Sequence, residues 1–123
     1  MASVSNPMIQ YVIIRGDLAK SLNWPSGAVI AQACHACVAV IHLFQDDPNT
    51  QAYLNDLDNM HKAVLEVQDE ESLLKLETNL KENNIDFKVW IEKPENIPTC
   101  IALKPYLKSE VKKYVRKFPL MKC

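Results

Sequence analysis

"MIQYVIIR", residues 8–15, decides the architecture. Apolar side chains, several of them β-branched, stand at both odd and even positions. Such a strand has two faces to bury, so it belongs at the centre of a sheet that is covered on both sides. Helices are the usual cover, and the rest of the chain is read with that demand in view.

"GAVIAQACHACVAVIHLF", residues 27–44, supplies the first long helix. Residues 16–26 form a loop closed by "WPSG", with Ser26 as the expected N-cap. "DDPN" ends the helix, because Pro48 cannot continue it and disfavours helical geometry at Asp47. "TQAYLNDLDNM" follows as a shorter helix with Tyr53, Leu54 and Leu57 at helical spacing. "HKAVLEV", residues 61–67, is a second strand. In "DEESLLKLETNLKENN" Asp69 caps a helix, Glu70 and Glu71 suit the positive end of its dipole, and Leu73, Leu74, Leu76 and Leu80 form the buried stripe. "DFKVWIE", residues 86–92, alternates as a third strand. "KPENIP" is a loop, and "TCIAL", residues 99–103, is a fourth strand. A last helix starts at Ser109 with a capping motif, and buries Val111, Tyr114, Val115 and Phe118.

The order β-α-α-β-α-β-β-α predicts one α/β domain over residues 8–123: a four-stranded mixed sheet with helices on both faces. Its first two strands are expected to be parallel, joined by a right-handed crossover. Residues 1–7 are expected to be a flexible N-terminal tail. A composition of 48% hydrophobic and 24% charged residues is that of an ordinary globular domain. Two glycines in 123 residues exclude the glycine-rich phosphate loops. The opening "MASVSNPM" lacks the basic and apolar regions of a secretory signal, which points to a cytoplasmic protein with reduced cysteines. No apolar run free of polar groups reaches the ~18–20 residues that span a bilayer, so no membrane contact is expected.

Charge is distributed unevenly. Residues 100–123 carry Lys104, Lys108, Lys112, Lys113, Arg116, Lys117 and Lys122 against Glu110 alone, which leaves the rest of the chain at −7 for a total of −1. A basic end on an acidic body is the footprint of a polyanion contact, or else the solvated outer side of a terminal helix.

Polar groups in the long helix are segregated. At ~100° per residue Ala28, Gln32, His35, Ala39 and His42 share one stripe, with small residues between the polar ones. Two readings compete. Gln32 and His35 can be buried groups satisfied by neighbouring backbone, or they can line a cleft near the helix N-terminus, which suits a phosphate or an oxyanion. Cys34 and Cys37 form a C-x-x-C, but no second pair of ligands accompanies it, so both read as small core residues and no metal is expected.

"YVIIRGDL" followed by "GAVIAQACHA" resembles the opening of the archaeal and eukaryotic, second-type peptidyl-tRNA hydrolases. Arg15, Asp17, Gly27, Ala31, Gln32, His35 and Ala36 stand at the matching positions. The likeness extends through "VLEVQDEESLLKL", "FKVWIEKPENIPTCIALKP" and "KSEVKKYVRKFPL", about residues 8–121. It is greatest to the divergent subgroup of peptidyl-tRNA hydrolase domain-containing proteins. The resemblance implies hydrolysis of the ester between a peptide and the terminal ribose of tRNA, without metal or cofactor, and admits a homodimer.

Several family positions are changed. The family's lysine after the helix glycine falls on Ala28, its aspartate at the tip of the third strand on Glu92, and a loop threonine on Asn96, while the threonine opening the last strand is kept as Thr99. The catalytic group expected from the resemblance is Glu92 or His35 as base on water, with Gln32 or Asp17 aiming His35, and Thr99 and Asn96 orienting the water or donating to the oxyanion. Arg15 and Asp17, with Lys20 or Lys104 replacing the lost lysine charge, and Lys108, Lys112, Lys113, Arg116 and Lys117 are the expected tRNA contacts. The alternative is a binding module that keeps the fold and has lost the catalysis.

Overall fold

The computed structural model describes residues 7–122. The chain runs β1 (Met8–Arg15), α1 (Asp17–Lys20), α2 (Ser26–Leu43), α3 (Pro48–Leu54), a 3₁₀ turn (Leu57–Asn59), β2 (Lys62–Val67), α4 (Glu70–Glu82), β3 (Phe87–Glu92), β4 (Ile97–Leu103), β5 (Tyr106–Leu107) and α5 (Lys108–Val115). Apart from Pro7, the expected tail falls outside the described residues, and the Pro7 carbonyl accepts the Lys108 N–H at 2.9 Å.

The sheet order is β2-β1-β4-β3, with β1 parallel to β2 and antiparallel to β4, and β3 antiparallel to β4. This is the expected four-stranded mixed sheet with β1 inside it. The two-residue β5, absent from the sequence reading, pairs with the start of β1. The alternation of β1 divides the core. Ile9, Tyr11 and Ile13 pack with Leu73, Leu76 and Leu80 of α4 and with Val111 and Val115 of α5. Val12 and Ile14 pack with Leu18 and with Val29, Ala36 and Val40 of α2. Both faces are therefore covered, as a doubly apolar strand requires.

Local boundaries differ in ways the chemistry explains. The segment after β1 is not all loop, since residues 17–20 make one helical turn that buries Leu18. A Cβ at Gly16 would collide with the Glu66 carboxylate, which Lys20 holds in an ion pair. Pro25, not Ser26, occupies the N-cap of α2, and no side chain caps that end. Asp47 caps α3 by accepting the Asn49 N–H at 2.9 Å, with Pro48 at the first position, so the proline that ends one helix starts the next. Of the expected α3 stripe only Tyr53 is buried, while Leu54 and Leu57 are exposed, as is Leu74 on α4. Asp69 caps α4 as expected, accepting the Ser72 N–H at 3.0 Å. β4 begins two residues earlier than predicted, because Ile97 and Pro98 pair with the end of β3. α5 begins at Lys108, and Glu110 reaches back to the Leu107 N–H at 2.9 Å.

The long helix departs most from its sequence reading. Taken by length and composition alone, the 18 residues of α2 could cross a membrane. In the fold, α2 lies on β1, β4 and β3 and buries one narrow face of Val29, Gln32, Ala36 and Val40. Ile30 and Val38 are exposed on the opposite side. Cys34 is exposed as well, so only Cys37, half-buried, approaches the core role expected for both.

Candidate active site

The pairing scheme assembles one end of the sheet. β1 and β3 each run antiparallel to β4, so their last residues, Arg15 and Glu92, lie at the end where β4 starts with Ile97–Thr99. α2 packs over β4 and β3 there. The register slips between Trp90 and Ile91, an irregularity of the kind that re-aims side chains at a strand end.

Gln32 is 1% exposed. Its Nε2 donates to the Ala28 carbonyl at 3.0 Å, and its Oε1 accepts from Thr99 Oγ1 at 2.9 Å. Below it, the Cys100 thiol donates to the Gln32 carbonyl at 3.2 Å. Burial pushes that thiol up to about 12, so it stays protonated. On the outer side, Trp90 Nε1 donates to Glu92 Oε1 at 3.0 Å. The exposed imidazole of His35 stacks on the Trp90 ring, with centroids 4.6 Å apart and planes 16° from parallel.

Five side chains thus meet: Gln32, His35, Trp90, Glu92 and Thr99. The indole N–H of Trp90 holds the Glu92 carboxyl below the usual glutamate range. The Gln32 amide, the His35 ring and the Lys93 backbone add to it, and together they outweigh the opposing effect of burial. Glu92 is therefore a carboxylate at neutral pH, oriented by a neutral donor rather than a cation. The stripe of α2 is split by this arrangement. Gln32 is the buried, satisfied polar group of the first reading, whereas the His35 ring stands at the surface, stacked on Trp90.

Other predicted residues are placed elsewhere. Arg15 reaches the same end of the sheet but is buried at 6% exposure, with its donors engaged. Nε and Nη2 hold the Asp17 carboxylate at 2.9 Å, and Nη1 donates to Glu70 at 3.2 Å and to the Pro98 carbonyl at 3.0 Å. The pair ties the β1–α1 turn to the start of α4 and of β4. Lys20 is taken by Glu66 on β2. Lys104 does not join the group. It lies five residues beyond Thr99, just past the end of β4 and roughly 17 Å away along the strand direction, between Asp47 at 2.7 Å and Asp86 at 3.1 Å. Asn96 takes a left-handed turn conformation (φ 59°) in the exposed β3–β4 loop, where its side chain accepts from Lys93. Lys108, Lys112, Lys113, Arg116 and Lys117 ride on and just after α5, which covers the other face of the sheet from α2. The residue that sequence reading missed is Trp90. Its position two before Glu92 in an alternating strand was the available signal, since i and i+2 share a face.

The profile described as peptidyl-tRNA hydrolase PTH2 matches residues 8–121. This chain is a member of the PTH2 family. A mouse protein named "Putative peptidyl-tRNA hydrolase PTRHD1" is 51% identical over 116 residues, covering 94% of this chain and 83% of its own length. The human protein of the same name is 50% identical over the same span and shares. In this PTH2-family chain the backbone carbonyl of Ala28 anchors the Gln32 amide, so this turn of α2 positions Gln32.

One prediction concerns the buried pair. Thr99→Val keeps the shape but leaves Gln32 Oε1 unpaired in the interior, at a cost of about 1–3 kcal/mol. Thr99→Ser is expected to restore most of it. Urea unfolding of the two variants against the parent measures the difference, and equal stability of all three would mean that the bond carries no weight.

Proposed function

We propose that this PTH2-family chain hydrolyses the ester of peptidyl-tRNA, with Glu92 as the general base. The reading is supported above all by an ionised, oriented carboxylate at the strand tip where the Gln32–Thr99 pair closes the interior. Glu92 removes a proton from water as its oxygen attacks the ester carbonyl carbon. The tetrahedral intermediate collapses by breaking the carbon–oxygen bond to the ribose. The ribose oxygen takes up the proton, and peptide acid and free tRNA leave. Thr99 spends its hydroxyl proton on Gln32, so in this scheme it is a positioning residue rather than an oxyanion donor. The cations on α5 lie on the other face and would meet phosphates of the tRNA body, which makes binding salt-dependent. A cytoplasmic location belongs to the same reading, since that is where the substrate is made.

A specific observation favours the second reading, a binding module. Ala28 stands where the family lysine is expected, Arg15 and Lys20 are both held by carboxylates, and Lys93, next to Glu92, is turned to the Asn96 side chain. Purified protein mixed with peptidyl-tRNA at low salt separates the two. Free tRNA should accumulate with repeated turnover, more slowly as salt is raised. Saturable binding without release of tRNA would instead establish the binding module.

A further inference from the structure

We propose that the outer face of the His35 ring, backed by Trp90, is a stacking ledge for the nucleobase of the terminal nucleoside that carries the ester. The inference rests on the hydrolase reading for the identity of the nucleoside, and on geometry for the ledge itself. His35 is exposed although one face of its ring lies on the indole at 4.6 Å, so the open face is the one turned from Trp90. Of its neighbours one helical turn away, Ala31 and Ala39 are small and half-buried and Gln32 is turned into the interior, which leaves the exposed Val38 as the one larger side chain of α2 beside the ring. A flat group can therefore approach it closely.

The spacing also fits. The indole that supports His35 is the one that donates to Glu92 at 3.0 Å. The ledge and the base thus share one support, with the outer face of His35 lying one stacked ring beyond the indole that holds Glu92. In the substrate, the ester and the nucleobase are separated by one ribose. An ester carbonyl set beside Glu92 would bring its own nucleobase over His35. Stacking needs only a π face and no hydrogen-bond code. That suits a substrate whose terminal nucleoside is the same in every tRNA. On this account His35 contributes its ring face, and its nitrogens carry no proton in the reaction.

Equilibrium binding of two probes to the intact protein at low salt tests the ledge: the trinucleotide cytidylyl-cytidylyl-adenosine, and the same molecule with an abasic final sugar. The complete probe should bind about 5- to 100-fold more tightly, the range for one base on one aromatic side chain. The advantage should vanish in His35→Ala and return in His35→Phe, which restores an aromatic face without the nitrogens. His35 is exposed, so both variants should fold, and circular dichroism checks that. Equal binding of the two probes, no binding of either, or an advantage that survives His35→Ala overturns the ledge. An advantage lost in His35→Ala and not regained in His35→Phe also overturns it, because the nitrogens would then be what matters. The hydrolase reading fails separately: base-dependent binding without ester cleavage keeps the ledge and removes the reaction, whereas cleavage that ignores the base keeps the reaction and removes the ledge.

Discussion

Glu92→Gln is expected to lower peptidyl-tRNA turnover by about 10²- to 10⁴-fold, the usual worth of a positioned general base. The replacement keeps the length and shape of the side chain. Its amide oxygen can still accept the Trp90 N–H, so the fold and the His35–Trp90 stack should survive. What is lost is the capacity to take a proton from water. The pH dependence gives an independent check on the assignment. The indole bond stabilises the charged form, so Glu92 takes up its proton at lower pH than an ordinary glutamate. The acid limb of kcat/KM should therefore be displaced downward from the ordinary glutamate value. Trp90→Phe, which removes the donor while leaving a ring under His35, should move the limb upward. A Glu92→Gln variant with undiminished turnover removes this carboxylate from the mechanism. An acid limb unmoved in Trp90→Phe would show that the indole does not set its ionisation.

Lys104→Met is expected to have the largest effect on stability. Lys104 is 6% exposed between Asp47 and Asp86, and its ammonium also lies 4.5 Å from the centre of the Tyr106 ring. Removing the cation leaves two carboxylates facing each other across a space that held their counter-ion. Breaking a buried pair costs about 3–5 kcal/mol, and about 3 kcal/mol is expected here because both carboxylates can turn toward water. For a domain of this size that corresponds to a fall of roughly 10 °C in Tm. The linkage has a definite sign on each side. Burial alone would lower the Lys104 pKa, but the bonds from Asp47 and Asp86 raise it above the ordinary lysine value. Its contribution is therefore complete below that value and is lost as pH climbs through the raised one. Burial pushes Asp47 upward, yet Lys104 and the Asn49 and Thr50 amides prevail and lower it. That contribution is present above the ordinary aspartate value and disappears as pH falls through the lowered one. Thermal melts across pH should show both limbs in the parent and a flatter profile in Lys104→Met. A variant as stable as the parent would mean that the buried cation costs as much to desolvate as its partners return.

Much of the molecule was legible in the chain. The doubly apolar β1 demanded a covered central strand, the Pro48 and Asp69 signals placed helix ends, and the α/β order followed from the succession of periods. These are local properties, fixed by backbone sterics and by which side chains share a face. Glu92 and Thr99 stood out through the family resemblance, Glu92 in the place of an aspartate and Thr99 as a kept threonine. The stripe on α2 was legible as a stripe but not as a division between an interior glutamine and a surface histidine. Which side of a helix meets the sheet depends on how three strands lie beneath it.

Tertiary structure alone decided the rest. It placed Trp90 between His35 and Glu92, because β3 returns beside β4 under α2. It withdrew Arg15 and Lys104 into buried ion pairs with Asp17, Glu70, Asp47 and Asp86, and set the exposed Lys20 against Glu66, contacts that reach across as many as 57 positions of the chain. It also set the α5 lysines on the face away from α2. A sequence lists which charges exist, but their availability depends on which opposite charges the folded backbone brings within ~4 Å, where pairing outweighs hydration for groups already withdrawn from water.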